Sequence, residues 1–404
     1  MTRSPQVLRS PDPYAPLGVR RLINAWGTVT RVGGSLMPPE VLDAMAAAAH
    51  AFVDVNELHE RAGDHLAGLL GVPEVFVSSG AAAGLALAAA ACIAGEDPAR
   101  MARLPDTGGL PHTIAIHRSH RNRYDQCLRL PGAVFAEFGG ADRTEPWELE
   151  AVLTPEVVAV AFVAQFEDAG GSLPLQTVVR IASERNIPVI VDAAAELPPV
   201  ENLWAFVQRG AALAIFSGGK DLRGPQASGL VAGRPDLVRA CRLNSNPNQR
   251  IGRPMKAGKE EIVGLVAAVE RYLALDHSAE AARWERQVAF LVDALRGIRG
   301  VAARRVCPAD PGIQPVGIPR AYVDLRPDAP AKDAVMAALQ DGDPAVVVGE
   351  HRGGVVLNPQ TLAPGEEEIV ALRLKQVLGA RHHQGSSGMP APSCGSDQDR
   401  GVRE

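Results

Sequence analysis

Between Val75 and Ala232, short apolar and β-branched runs alternate with stretches of helical length, and this rhythm leaves few folds open. The strand-like runs are Val75–Val77, Thr113–His117, Val134–Phe138, Val157–Ala164, Pro188–Val191, Ala212–Phe216 and Gly229–Ala232. Helices are expected over Gly80–Ala94, from Pro146, over Leu175–Arg185, and between the runs ending at Val191 and beginning at Ala212. Such alternation predicts an α/β fold: a mostly parallel seven-stranded sheet flanked by helices on both faces.

The flanking regions complete the organisation. Residues 1–20 read as a Pro- and Arg-rich arm. Helices are expected from Pro39 to Ala49 and from a cap at Asn56 to Gly71. A long helical stretch, Lys259 to Arg296, reads as a connector. Tyr322–Leu325, a helix from Lys332, Ala345–Val348, Gly354–Leu357 and a helix from Glu366 predict a second, smaller α/β domain. The division expected is 21–257 for the large domain, 258–381 for connector and small domain, and a disordered, Gly/Ser/Pro-rich tail over 382–404.

Composition narrows the partners. A net charge of -5 and an aromatic content of 4% argue against nucleic-acid binding. The five cysteines are scattered without a paired motif, which suits reduced thiols and a cytoplasmic protein. The N-terminus has no apolar core of the kind a signal peptide carries. The most apolar run, Gly80 to Gly95, is about 16 residues, short for a membrane span.

Ligands of open α/β sheets gather at the carboxyl ends of the strands. Three strand ends carry suggestive residues. The first is Ser78-Ser79-Gly80-Ala81, where a helix opens and its free N–H groups face outward. Such a turn can cradle an anion, or Ser79 can simply cap the helix. The second is Asp192, an acid at the end of a buried run, which needs a partner. That partner is a neighbouring ion pair or a cationic ring nitrogen. No second acid stands at ligand spacing, so a metal is disfavoured. The third is Phe216-Ser217-Gly218-Gly219-Lys220. The chain has 36 arginines and five lysines, and Lys220 is the first lysine. Arginine replaces lysine in most ionic roles but not where a primary amine must lose its proton and attack a carbonyl. Lys220 is therefore either a loop cation or a nucleophile. Anion cradle, acid and lysine together describe a site for pyridoxal 5'-phosphate.

Several segments then carry a resemblance: Leu22-Ile23-Asn24-Ala25-Trp26-Gly27-Thr28, Ser79–Gly84, Ile190–Glu196, Phe216–Lys220 with Arg223–Gln226, Ile251–Lys256 and Leu357-Asn358-Pro359. The chain resembles fold-type I pyridoxal-phosphate enzymes of the selenocysteine-synthase-like group, which includes D-glucosaminate-6-phosphate ammonia-lyase. The resemblance implies Lys220 as the Schiff-base lysine and Asp192 as partner of the pyridinium nitrogen. It implies Ser79, Gly80 and Ala81 at the phosphate, with Ser217 as a further donor. His120 falls where many such enzymes stack a side chain on the ring and would, with Lys220, be a candidate to protonate the leaving β-hydroxyl, although a surface histidine in a polar turn fits the sequence as well. Gln165 would approach the ring oxygen. Arg250, Arg253 and Lys256 would bind a substrate carboxylate or phosphate, across a subunit interface, or form a solvated basic turn.

Two departures bear on activity. Selenocysteine synthases carry an Asn-Leu-Gly-Arg run where this chain has Val32-Gly33-Gly34-Ser35, so an arginine used there is missing. They also carry a tRNA-binding domain, and the roughly 20 residues before the matching stretch are too few for one. The expected function is a lyase that eliminates water and then ammonia from a small polar β-hydroxy amino acid, acting as a homodimer or higher homo-oligomer. Racemisation, aldol cleavage or β-replacement from the same carbanion, and a catalytically silent cofactor-binding scaffold, stay open.

Overall fold

A computed structural model describes residues 12–167, 171–310 and 313–379. Twelve strands occur among them: β1 (Leu22–Ala25), β2 (Glu74–Ser78), β3 (Thr113–His117), β4 (Val134–Phe138), β5 (Val157–Val163), β6 (Val189–Asp192), β7 (Leu213–Ser217), β8 (Gly229–Gly233), β9 (Val301–Val306), β10 (Arg320–Leu325), β11 (Ala345–His351) and β12 (Gly354–Leu357).

The large sheet has seven strands in the order β2-β8-β7-β6-β5-β3-β4. Its four adjacent pairings from β7 to β4 are parallel, and β8 alone runs against its neighbours. Strands β7 and β8 are buried along almost their whole length, as both-face coverage requires. One face packs the helix Ala81–Ala94, whose alanines leave it apolar all round; 11 of its 14 residues are buried. Gly84 sets how closely this helix lies on the sheet, since an added Cβ would stand 2.9 Å from Ile215 Cγ2. The helix Val55–Leu70, ended by Gly71 at φ 63°, packs on β2. Asp54, not Asn56, caps it, accepting from the N–H groups of Asn56 and Glu57.

The small sheet has the order β1-β11-β12-β10-β9. It takes in a strand from near the start of the chain. Strand β1 pairs in parallel with β11, so residues 22–25 belong to the small sheet and not to a large domain starting at 21. A four-residue strand has no local feature that names its partner. The connector is also two helices, Lys259–Leu273 and His277–Ala294, broken where Asp276 caps the second by accepting from the Ala279 N–H. Ile262, Leu265, Val269 and Tyr272 of the first join the large core. Val288 and Leu291 of the second join the small one. The first connector helix thus packs with the large core and the second with the small one. The expected disordered tail, 382–404, and most of the expected arm lie outside the described residues.

Candidate active site

Strands β2, β3, β5, β6 and β7 all end on one edge of the large sheet, and Ser79–Ala81, His120, Gln165, Asp192 and Lys220 lie at or just after these ends. At the end of β2, Ser78 is buried and its hydroxyl donates to the carbonyls of Gly80 and Gly229. These bonds fix the turn that opens the helix Ala81–Ala94. Gly80 occupies the N-cap position with φ 115°, a conformation that disfavours any side chain, and no side chain caps the helix. Ser79 thus does not serve as a helix cap. The first N–H groups of a 14-residue helix are left for an anion.

Asp192 ends β6, and its Oδ1 accepts the Ala194 N–H at 3.1 Å. Burial pushes its pKa up, while the Ala194 N–H and the Lys220 charge resist. Lys220 follows β7. Burial pushes its amine down, and Asp192 and Glu196 pull it back. The amine makes no hydrogen bond or ion pair among the described residues. Its loop is held from behind. The Gly218 N–H donates to Ser228 O, and both Ser35 N–H and Ser35 Oγ donate to Gly219 O. Arg223 Nε donates to Leu36 O at 2.9 Å. Ser35 and Leu36 thus strap the lysine loop. Ser217 stands at the end of β7 opposite Gly229, which also faces Ser78, so the hydroxyl-bearing ends of β7 and β2 flank one glycine.

His120 is buried, not a surface histidine. Its Nδ1 accepts the Val163 N–H at 3.2 Å, which places the ring proton on Nε2, 2.8 Å from Ser172 Oγ. Phe162 meets it edge-on at 4.9 Å. Burial, aided by His117, lowers its pKa to about 3, so the ring is neutral. Val163 pairs with Asp192 across β5 and β6, so His120 and Asp192 share one neighbourhood. Gln165 lies in the turn after β5, where its carbonyl accepts from Gln314 Nε2 at 3.4 Å.

No hydrogen bond or ion pair among the described residues joins the basic group to these residues. Arg253 and Lys256 are exposed; Arg253 donates to Asn246 Oδ1 at 3.2 Å and Arg250 to Gln249 O. Their segment lies against the helix Ala81–Ala94 through Gly252, whose Cβ position is 2.6 Å from Leu87 Cδ2. Sequence reasoning gave no role to two acids that the fold brings here. Glu196 follows Asp192 by four residues. Asp221 follows Lys220 and accepts from Tyr272 and Gln360.

The residues fit pyridoxal 5'-phosphate. An uncapped helix start suits its phosphate. An acid without a cation in hydrogen-bond contact suits its ring nitrogen, and an unpartnered, depressed amine suits its aldehyde.

No family model matches the chain. It is 32% identical to a D-glucosaminate-6-phosphate ammonia lyase of Salmonella typhimurium, over 91% of this chain and 98% of that one. It is 35% identical to a 5'-C-glycyluridine monooxygenase-decarboxylase of a Streptomyces species, over 90% and 92%. It is 30% identical to an L-seryl-tRNA(Sec) selenium transferase of Solidesulfovibrio magneticus, over 89% and 82%. A solved D-glucosaminate-6-phosphate ammonia-lyase superposes with a TM-score of 0.79, covering 92% of this chain and 99% of that one. An aspartate aminotransferase of Thermus thermophilus, 17% identical with a TM-score of 0.52, shares the fold. With such relatives along nearly its whole length, the chain belongs to the selenocysteine-synthase-like group of fold-type I pyridoxal-phosphate enzymes, in the family of D-glucosaminate-6-phosphate ammonia-lyase.

Proposed function

We propose that this protein is a pyridoxal-phosphate-dependent ammonia-lyase that removes water, then ammonia, from a β-hydroxy amino acid and leaves a 2-keto acid. The observation that carries the reading is the unpartnered Lys220 amine grouped with Asp192 at one sheet edge, beside the uncapped helix start. Ser79, Gly80 and Ala81 would hold the phosphate, with Ser217 as a further donor. Asp192 would keep a proton on the ring nitrogen. When bound, the cofactor supplies a sink for the electrons of the bond broken at Cα. Lys220 would hold the cofactor covalently and, once freed by substrate, would take the Cα proton. His120 forms a neutral wall of the site. Its low pKa and engaged nitrogens suit packing better than proton delivery. Gln165 would approach the ring oxygen.

The name of the lyase relative supplies the substrate class: a phosphorylated amino sugar acid. Arg250, Arg253 and Lys256 suit its phosphate or carboxylate, and the exposure of Arg253 and Lys256 suits service to a partner's site in a cytoplasmic homodimer. A second reading, oxygen-dependent decarboxylation of an amino acid carried on a nucleoside, is favoured by the 35% identity to the Streptomyces enzyme.

The test begins with the visible absorbance of wild type and Lys220→Ala before and after borohydride. It continues with product analysis on D-glucosaminate 6-phosphate and a panel of β-hydroxy amino acids, with an oxygen electrode. A yellow band lost on reduction and altered in the variant, with keto acid and ammonia in equal amounts and no oxygen uptake, is expected. Oxygen uptake with carbon dioxide release selects the second reading. Aldehyde plus glycine selects an aldolase. A wild type that stays colourless with added cofactor overturns both enzymatic readings.

A further inference from the structure

Glu196 is held in place by its backbone while its carboxylate is left without a partner. Its N–H donates to Ala193 O at 3.2 Å, and its carbonyl accepts from Asn202 Nδ2 at 2.6 Å. No hydrogen bond or ion pair reaches its carboxylate among the described residues. The neighbouring acids differ in this respect. Asp192 accepts a backbone N–H, Asp221 accepts from Tyr272 and Gln360, and Glu167 is bound by Arg209 and accepts the Leu175 N–H. A partly buried acid without a partner is destabilising unless something arrives to use it.

Three charged groups act on it: Asp192 from the end of β6, Lys220 from the loop after β7, and Glu167 from the turn after β5, the last already neutralised by Arg209. Burial first, and Asp192 second, raise its pKa to about 7, against the pull of Lys220. An acid poised there can both give and recover a proton at neutral pH.

Resting on the lyase reading, we infer that Glu196 is the acid that protonates the departing β-oxygen. As the Cβ–O bond breaks, its electron pair goes to oxygen and the Glu196 O–H proton joins that oxygen, so that water leaves. The Lys220 amine has meanwhile taken the Cα proton. Its ammonium returns that proton to the Glu196 carboxylate, and both groups are reset. One hydrogen and one hydroxyl have left the substrate, and no external acid, base or redox partner is consumed.

The experiment compares wild type, Glu196→Gln and Glu196→Asp, all loaded with cofactor and matched by absorbance. It follows ammonia release from D-glucosaminate 6-phosphate, or the best member of the panel, and exchange of its Cα hydrogen in D2O. Ammonia release by Glu196→Gln is expected to fall by about 10²- to 10⁴-fold. Cα exchange should persist within a few-fold, and Glu196→Asp should recover part of the rate. In wild type kcat should show a limb that falls as pH rises, where the acid is lost, and this limb should be absent from the residual rate of Glu196→Gln. Parallel loss of exchange and ammonia release would mean a structural role and overturns the assignment. So does a Glu196→Gln rate within tenfold of wild type. A wild type that releases no ammonia from any substrate overturns the lyase reading itself, and the assignment with it.

Discussion

The side-chain amide of Gln360 donates to Asp221 Oδ1 at 2.8 Å, tying the small domain to the residue after Lys220. Tyr272, at the end of the first connector helix, donates to the other oxygen at 2.8 Å. Gln360 is set in turn by its own N–H to Asn358 Oδ1, and Asn358 N–H reaches Ala25 O on β1. Two sequence segments that lie more than 300 residues apart thus meet behind the lysine loop. Burial raises the Asp221 pKa, and these two donors oppose it. Removing either leaves an under-satisfied buried acid. Tyr272→Phe and Gln360→Ala should each cost about 1.5–3 kcal/mol, and the pair should be non-additive. Denaturant unfolding of both variants and the double variant checks this; single losses below about 0.5 kcal/mol would show that the link bears no strain.

Gly229 should be intolerant of any side chain. Its Cβ position is 2.7 Å from Gly80 C, 2.8 Å from Phe216 O and 2.9 Å from Ala81 N. All three are backbone atoms that cannot rotate away. Gly229→Ala should displace the phosphate turn, weaken pyridoxal-phosphate binding at least about tenfold and destabilise the fold by about 1–3 kcal/mol. Cofactor titration by absorbance, beside thermal unfolding, measures the two effects separately. Unchanged affinity would mean that the turn does not hold the cofactor.

His120 should not titrate in the working range. Its Nδ1 accepts a backbone N–H, and protonating that nitrogen would break the bond inside an apolar surround. With the pKa lowered to about 3, its ring resonances should stay those of the neutral Nε2–H tautomer from pH 5 to 9. Histidine ring NMR against a His120→Gln spectrum gives the assignment. A midpoint between 6 and 7 would place the ring in solvent and contradict the burial.

What the sequence disclosed depended on how local the cause was. Lys220 stood out because arginine had displaced lysine nearly everywhere else. Asp192 and the Ser79–Ala81 turn stood out because each ends a short apolar run, and strand ends are where such sheets bind ligands. The long-range relations were hidden. Nothing in Leu22–Ala25 says that it pairs with Ala345–Val348, and Val301–Val306, with two arginines in six residues, does not read as a strand. The break at Asp276 was obscured by apolar periodicity continuing on both sides. Glu196 and Asp221 adjoin recognised residues, yet their environments come from other elements: Lys220 and Glu167 for one, Tyr272 and Gln360 for the other. The basic turn at Arg250–Lys256 was legible as a cluster, but no hydrogen bond or ion pair among the described residues joins it to Lys220.

Glu196 should also write a signature into stability, independent of turnover. Its folded pKa is raised from 4.5 to about 7, so between these values the folded protein binds more protons than the unfolded chain. Stability contributed by this group is fully present below 4.5 and is lost as pH rises through 7. Glutamine stays neutral and escapes that loss. In cofactor-free protein, Glu196→Gln should match wild type near pH 4.5 and exceed it by about 1–3 kcal/mol at pH 8, less than the full shift because the carboxylate is partly reached by water. Urea unfolding of both proteins at several pH values reads this difference directly. A gap that does not change between pH 4.5 and 8 would mean that Glu196 ionises as an ordinary surface acid, and the proton-donor assignment would lose its physical basis.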